Sequence, residues 1–254
     1  MIRIYVLCHD EESYQQAMCY ERCYEWMRVV RIPSTKWMES QVFAMLLQPE
    51  FRADWGRDDI QYVGLLKYNF QEKCPFYDFP TLCQAESRDW DVWTFVNGHE
   101  DDYRIPNPSM ITYAGICHTL FPVIWFLLFQ NEIPLEHLFS NQIPAFYSNC
   151  WIAKKSLLEP LLSFVNQAVY RMETLEPLRT LLHYNANYLQ RLPAERLQEI
   201  MSFPYYTYHC FILERIPCLF FWWSGARIRP VGGTQRRLAS QPEPHLPLLK
   251  ITRH

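Results

Sequence analysis

Short apolar segments rich in β-branched residues alternate with segments of helical character, and this alternation limits the fold more than any other feature. The clearest strand is predicted at residues 2–7 (IRIYVL), where polar residues follow directly. Further strands are predicted at residues 27–32, 59–66, 91–96 and 145–153. Helices are predicted at residues 35–47, 155–173, 179–189, 193–201 and 211–221. We therefore expect an α/β fold with a mostly parallel sheet that is flanked by helices.

Glycine is scarce, with only 7 residues in a chain of 254. Neither G-x-G-x-x-G nor G-x-x-x-x-G-K-[ST] occurs, which argues against a dinucleotide fingerprint, a P-loop NTPase and a kinase-type glycine loop. The formal net charge of −3 also argues against nucleic acid as the main partner, because phosphate binding requires a basic face.

Cysteine usage and hydropathy predict a cytoplasmic protein, in the host cytoplasm if the chain is viral. The 9 cysteines include no C-x-x-C pair, which favours reduced thiols. The N-terminal apolar run is too short for the core of a signal peptide. Residues 110–129 lack a formal charge, but His118 and Pro122 favour a buried or partly interfacial helix over a transmembrane span.

The composition changes after residue 223, where the chain becomes basic and rich in proline and glycine. We expect one domain at residues 1–223 and a largely irregular tail at residues 224–254. Two interpretations of the tail stay open: a flexible extension, or a segment that docks on a partner or on an anionic surface such as a membrane.

Candidate binding residues follow from the rule that ligands bind outside the carboxyl ends of the strands in an open α/β sheet. The rule selects four places: Cys8-His9-Asp10, Lys67-Tyr68-Asn69, Asn97-Gly98-His99 and Tyr147-Ser148-Asn149. At the second of these, Lys67 is able to neutralise a diphosphate as a metal ion would, or it is an ordinary surface lysine.

Carboxylates supply the other candidates. Asp89 and Asp91 have the D-x-D spacing with which two carboxylates bind one divalent cation, although they precede their strand instead of following it. Glu214 lies among apolar residues, where it is either a general base or the partner of Arg215. His209 is a neighbouring donor.

Five segments, in this order, resemble glycosyltransferases of bacterial capsular-polysaccharide loci and the related sugar transferases of large, chlorovirus-like DNA viruses. The ordered match spans about residues 2–222. The segments are IYVLCHDEESY with His9, IPSTKWMESQVFAML with Ser34, Lys36 and Glu39, Tyr62–Tyr68 (YVGLLKY), Asn149–Leu157 (NCWIAKKSL) and Cys210–Ile216 (CFILERI).

The resemblance implies a GT-A-type fold, with a Rossmann-type sheet that has a donor half and an acceptor half. It implies transfer of a sugar from a nucleotide-diphosphate sugar, with UDP or GDP, to a hydroxyl of a glycan acceptor. The implied binding residues are His9, Lys36, Tyr68, Asn69, Asn149 and His209, and the implied catalytic residues are Glu214 as base and Lys67 beside the diphosphate. Either Asp89 and Asp91 bind Mn²⁺ or Mg²⁺, or catalysis is metal-independent.

Two other classes of function stay open at this point. One is a non-catalytic carbohydrate- or partner-binding protein on a glycosyltransferase-like fold, in which the abundant aromatic residues stack on sugars. The other is a structural viral protein, or one in peripheral contact with a membrane, that uses residues 110–129 and the basic tail.

Overall fold

A six-stranded sheet lies at the centre of the structure, which is a computed structural model. The structure describes residues 1–72, 78–95, 120–140, 142–144, 146, 149–188 and 192–231. The strands are β1 (Ile2–Cys8), β2 (Met27–Arg31), β3 (Tyr62–Lys67), β4 (Val92–Phe95), β5 (Trp151–Lys154) and β6 (Ile228–Val231), in the order β2-β1-β3-β5-β4-β6.

All of these strands run in the same direction except β5, which is antiparallel to both of its neighbours. The prediction of an α/β fold with a mostly parallel sheet is therefore confirmed. Leu7 of β1 pairs with Lys67 of β3, and Leu65 pairs with Trp151 at the start of β5. The carboxyl ends of β1 and β3 and the beginning of β5 thus meet at one edge of the sheet.

Helices cover both faces of the sheet. They are α1 (Glu11–Cys23), α2 (Val42–Leu46), α3 (Pro49–Trp55), α4 (Phe79–Glu86), α5 (Leu120–Phe129), α6 (Leu135–Leu138), α7 (Lys155–Thr174), α8 (Glu176–Leu182), α9 (Ala194–Met201) and α10 (Tyr208–Trp223). Short 3-10 turns lie at Met38–Gln41 and Phe70–Glu72. Side chains alternate between the faces along each strand, so Tyr5 and Leu7 pack with α7 and α10, whereas Ile4 and Val6 pack with α1 and α4.

Gly64 allows β3 and β5 to pack closely in the middle of the sheet. A Cβ atom at this position would lie 2.6 Å from Cγ1 of Ile152 and 2.9 Å from the carbonyl oxygen of Trp151. These separations are too short for any side chain, so glycine is required where the two strands pair.

The structure differs from the sequence-based expectations at several elements. Helix α1 was not predicted, because most of its residues are exposed and its sequence is therefore mainly polar. The helix begins at a capping residue, Asp10, whose side chain accepts a hydrogen bond from the N–H of Ser13 at 2.8 Å. Helices α3 and α4 were not predicted either. The expected helix at residues 35–47 is shorter, since its first turn is the 3-10 turn.

The sheet also extends beyond the predicted domain boundary at residue 223. Strand β6 lies in the segment 224–254, which the sequence assigned to an irregular tail, and it pairs in parallel with β4. Residues 232–254 lie outside the described residues, as do the Asn97-Gly98-His99 candidate and residues 110–119. Among the described helices, none is both long enough and apolar enough to cross a membrane. The cytoplasmic location stays a prediction.

Candidate functional site

The order in which the chain adds strands to the sheet reverses at β1. A ligand crevice is therefore expected at the carboxyl ends of β1 and β3. From β1 the chain passes to β2 on one side, and it later returns to β3 on the other side. Such a switch point opens a crevice at the carboxyl ends of the two strands. His9 directly follows β1, and Lys67 is the last residue of β3, so both residues lie at this crevice.

Glu39 joins these two side chains. Its Oε1 lies 2.8 Å from Nε2 of His9 and 2.8 Å from Nζ of Lys67. Only 18% of the Glu39 side chain and 16% of the Lys67 side chain are exposed. Met38, just before Glu39, has φ of 50°, a left-handed conformation that is uncommon for a residue other than glycine. One carboxylate oxygen therefore holds both side chains in place.

Mutual attraction keeps Glu39 and Lys67 charged despite their burial. Burial alone would raise the pKa of the Glu39 carboxyl, but Lys67 and His9 lower this pKa to about 2. Burial alone would lower the pKa of Lys67, but Glu39 and then Glu214 raise it above its usual value. With such a low pKa, Glu39 is a poor general base and serves as the common partner of Lys67 and His9.

Glu214 lies on α10, close enough to Lys67 to contribute to the raised pKa of that lysine. Its side chain is 20% exposed, and Oε2 lies 3.6 Å from Nη1 of Arg215. Arg215 is buried; the same Nη1 donates a hydrogen bond to the carbonyl oxygen of Phe211 at 2.7 Å, and the guanidinium lies over the ring of Phe121. The contact between Glu214 and Arg215 is thus longer than the hydrogen bond between Arg215 and Phe211.

Asn149 reaches the crevice because β5 runs antiparallel to β3. It lies two residues before the first residue of β5, has φ of 48° and is 2% exposed. Its Nδ2 donates to Oγ of Ser40 at 3.4 Å, whereas its buried Oδ1 has no hydrogen-bond partner among the described residues. A buried oxygen without a partner on a left-handed residue is typical of a functional position.

Tyr68 and Asn69 directly follow Lys67 at the same edge. The N–H of Tyr68 donates to the carbonyl oxygen of Leu7 at 3.0 Å, and its ring packs edge-on to His9 with 6.5 Å between ring centroids. The sheet therefore brings the candidates His9, Lys67, Tyr68, Asn69 and Asn149 to one place.

Lys36 and His209 belong to a second cluster, which is centred on Trp37. Nζ of Lys36 lies 2.7 Å from Oε1 of Glu173 and 4.8 Å from the centroid of the Trp37 ring. The same ring lies 5.0 Å from His209, whose Nδ1 is 3.0 Å from Oγ1 of Thr207. Burial, together with the charge of Lys36, lowers the pKa of His209 to about 3, so this histidine is neutral at pH 7.

The assignment of a metal ion to Asp89 and Asp91 stays a prediction, and the structure shows what surrounds these two residues. Both residues precede β4 and so lie at the opposite edge of the sheet from the crevice. The carboxylate of Asp91 accepts hydrogen bonds from Nζ of Lys154 at 2.7 Å and from Nε and the backbone N–H of Arg227 at 2.9 and 3.0 Å. Burial alone would raise the pKa of the Asp91 carboxyl, but these hydrogen bonds lower it to about 2. Among the described residues no group of three or more His, Cys, Asp or Glu is placed to hold a metal ion. The carboxylate of Asp91 therefore ties β4 to Lys154 at the end of β5 and to Arg227, just before β6.

Replacing Asp91 by alanine is expected to lower the free energy of unfolding by about 2 kcal/mol, because a charged group with several hydrogen bonds is lost. Urea unfolding measures the change, and Asp89→Ala, at an exposed position of the same motif, is the matched control. Loss of a manganese-dependent ligand response in Asp91→Ala, with stability unchanged, would contradict the structural role.

The lowered pKa of Glu39 predicts a pH-dependent contribution to stability. The contribution is fully present above the ordinary pKa of 4.5 and is lost as the pH falls toward 2, where the folded-state carboxyl becomes protonated. Glu39→Gln should therefore reduce the free energy of unfolding by about 3 kcal/mol at pH 7, with the difference from the unmodified protein shrinking below pH 4.5. Urea unfolding between pH 7 and pH 3 tests this, with the exposed Glu50→Gln as control. A difference that does not vary with pH would refute it.

Glu39 is the residue that sequence reasoning missed as a member of the site. Its place in the Ser34, Lys36, Glu39 segment was the available signal, but a role as common partner of His9 and Lys67 arises only from tertiary contact.

Comparison of the chain with protein-family models, curated proteins and solved structures found no match.

Proposed function

We propose that this chain is a GT-A-type glycosyltransferase, which moves a sugar from a nucleotide-diphosphate sugar to a hydroxyl of a glycan. The observation that carries the proposal is the position of Lys67 at the switch point of the sheet, held with His9 by Glu39 and with Glu214 nearby. Sugar transfer requires a cation beside the leaving diphosphate and a base for the acceptor hydroxyl. The crevice contains a group of each kind.

Lys67 is the group that stabilises the leaving diphosphate, and His9 is a second donor to it. A buried lysine fixed by a carboxylate places positive charge where negative charge develops, without reorganisation during the reaction. In the crevice, Lys67 already supplies the cation beside Glu39. Asp89 and Asp91 lie at the opposite edge of the sheet. The residues of the crevice therefore do not fit a divalent metal site of the D-x-D kind. The proposed mechanism is accordingly metal-independent.

Glu214 is the base. The acceptor oxygen attacks the anomeric carbon of the donor sugar, and its proton passes to the Glu214 carboxylate. The bond between that carbon and the diphosphate oxygen breaks, and the nucleoside diphosphate leaves with the electron pair and is held by Lys67. Asn149, with its buried Oδ1, borders the sugar.

Thermal unfolding with UDP, GDP, UDP-glucose and GDP-mannose, each with Mn²⁺ and with EDTA, tests the proposal. A nucleotide at about 100 times its Kd should stabilise the fold by roughly 2.7 kcal/mol, which shifts Tm by a readable amount. We expect a shift with one nucleotide class that is the same in Mn²⁺ and in EDTA. No shift with any of these ligands would refute nucleotide-sugar binding, and a shift only in Mn²⁺ would refute the metal-independent mechanism.

A further inference from the structure

Cys19 and Cys23 differ from the other cysteines that the structure describes, because both are exposed. The buried ones are Cys8, Cys83, Cys150, Cys210 and Cys218. Cysteine is among the residues that are most often buried in folded proteins. Two exposed thiols four residues apart on one helix, α1, are therefore unusual, and both are accessible to a ligand.

The helix places the two thiols on one face. Residues four apart in a helix are neighbours, with about 5 to 6 Å between their Cβ atoms. Cys23 is the last residue of α1, and the N–H of Tyr24 donates to the carbonyl oxygen of Tyr20 at 2.8 Å, so the helical spacing is kept to the end of the helix. Cys19 and Cys23 therefore lie one turn apart on the same exposed surface.

This spacing disfavours a disulfide and suits a shared metal ion. A disulfide requires Cβ atoms about 3.5 to 4.5 Å apart and sulfurs about 2.05 Å apart, which an intact helix does not offer at this spacing. Bonds between a metal ion and a thiolate are about 2.3 Å long, so two sulfurs on one ion lie up to about 4.6 Å apart. The longer span allows both cysteines to bind one ion while α1 stays helical.

The number of ligands selects the metal. Among the described residues no group of three or more His, Cys, Asp or Glu is placed to hold a metal ion, so the pair supplies two ligands alone. Structural Zn²⁺ sites use four ligands. Thiolates are soft ligands that favour Cu⁺, and Cu⁺ forms complexes with only two of them. Arg22, the basic residue in the last turn of α1, adjoins Cys23 and offsets the net negative charge of such a complex.

We infer that Cys19 and Cys23 form a binding site for one Cu⁺ ion on the exposed face of α1. Each thiol loses its proton to the solvent when it binds the ion. For Cys19 this ends the hydrogen bond that its thiol donates to the carbonyl oxygen of Gln16 at 3.2 Å.

The site is separate from the crevice. Asp10, which caps the start of α1, directly follows His9. At about 1.5 Å per residue, Cys19 lies about 14 Å farther along the helix. The inference is therefore independent of the proposed function, and its failure would leave that proposal unchanged.

Anaerobic titration of the full chain with Cu⁺, in competition with bicinchoninic acid, tests the inference. The double variant Cys19→Ser, Cys23→Ser removes both thiols. The double variant Cys19→Ser, Gln15→Cys is the matched control, because it keeps two exposed cysteines on α1 but places them two turns apart, about 12 Å, which is too far for one ion. Both variants keep the remaining cysteines, and unchanged thermal unfolding shows that each has folded.

We expect the unmodified protein to bind one Cu⁺ ion more per chain than Cys19→Ser, Cys23→Ser. In Cys19→Ser, Gln15→Cys the ion has a single thiolate, so its affinity should fall at least about 10²-fold. Equal Cu⁺ binding by either variant and the unmodified protein would overturn the inference. Zn²⁺ held between two chains, seen as a zinc-dependent dimer by native mass spectrometry and lost in Cys19→Ser, Cys23→Ser, would assign the pair to zinc and would also overturn it.

Discussion

Replacing Lys67 by methionine is expected to lower kcat/KM for sugar transfer roughly 10²–10³-fold, because the leaving diphosphate loses its fixed positive charge. The measurement is release of the nucleoside diphosphate from the nucleotide sugar identified by thermal unfolding. Lys67→Arg is the matched control, since it keeps the charge and should retain more activity than the methionine variant.

Loss of activity in Lys67→Met must be separated from loss of the fold. Among the residues that the structure describes, removing Lys67 leaves the buried carboxylate of Glu39 with His9 as its one remaining ion-pair partner, which is destabilising. The double variant Lys67→Met, Glu39→Gln removes the unpaired charge and should recover much of the stability while remaining inactive. Activity of the double variant close to that of the unmodified protein would exclude Lys67 from the reaction.

Replacing Glu214 by glutamine is expected to lower kcat roughly 10²–10⁴-fold and to leave the Kd for the nucleotide nearly unchanged. The amide has almost the size of the carboxylate but accepts no proton, so the acceptor hydroxyl has to attack the anomeric carbon with its proton still in place. Single-turnover kinetics of transfer measures the loss, and thermal unfolding with the nucleotide measures binding. The exposed Glu50→Gln controls for the loss of one negative charge.

The two variants differ in a way that only the proposed roles explain. Lys67→Met should weaken both nucleotide binding and transfer, because in the proposed mechanism the lysine binds the diphosphate, which belongs to both the donor and the product. Glu214→Gln should affect transfer alone. Full activity of Glu214→Gln would remove the base from the mechanism and would favour a non-catalytic binding protein.

The sequence predicted the parts of the fold whose pattern is local and apolar. Strands β1 and β3 are almost wholly buried and β2 is mostly buried, and the positions of all three agree with the expectations to within a few residues. Helix α1 was not predicted, because a largely exposed helix has little apolar periodicity in its sequence. Strand β6 was not predicted because its four residues, Ile228–Val231, include a proline and pair with β4, a strand far away in the chain.

The sequence predicted the site residues that follow the carboxyl ends of strands. It did not predict the residues whose place depends on the direction of a strand or on contacts between segments far apart in the chain. His9 and Lys67 follow from the rule for carboxyl ends of strands. Asn149 was expected at the end of a strand, but it precedes β5 and reaches the same edge because that strand is antiparallel. The role of Glu39 required knowledge of its tertiary contacts with Lys67 and His9.

The insertion of β5 between β3 and β4 has a consequence for synthesis of the protein on the ribosome. Strands β1 to β3 can pair as soon as they emerge, but the free edge of β3 waits for residues 151–154, which are made much later. An open edge of buried-type residues on a nascent chain is prone to aggregation, and pairing of such distant segments is slow. Chaperone supply during translation, more than stability of the finished fold, should therefore set the yield of the protein.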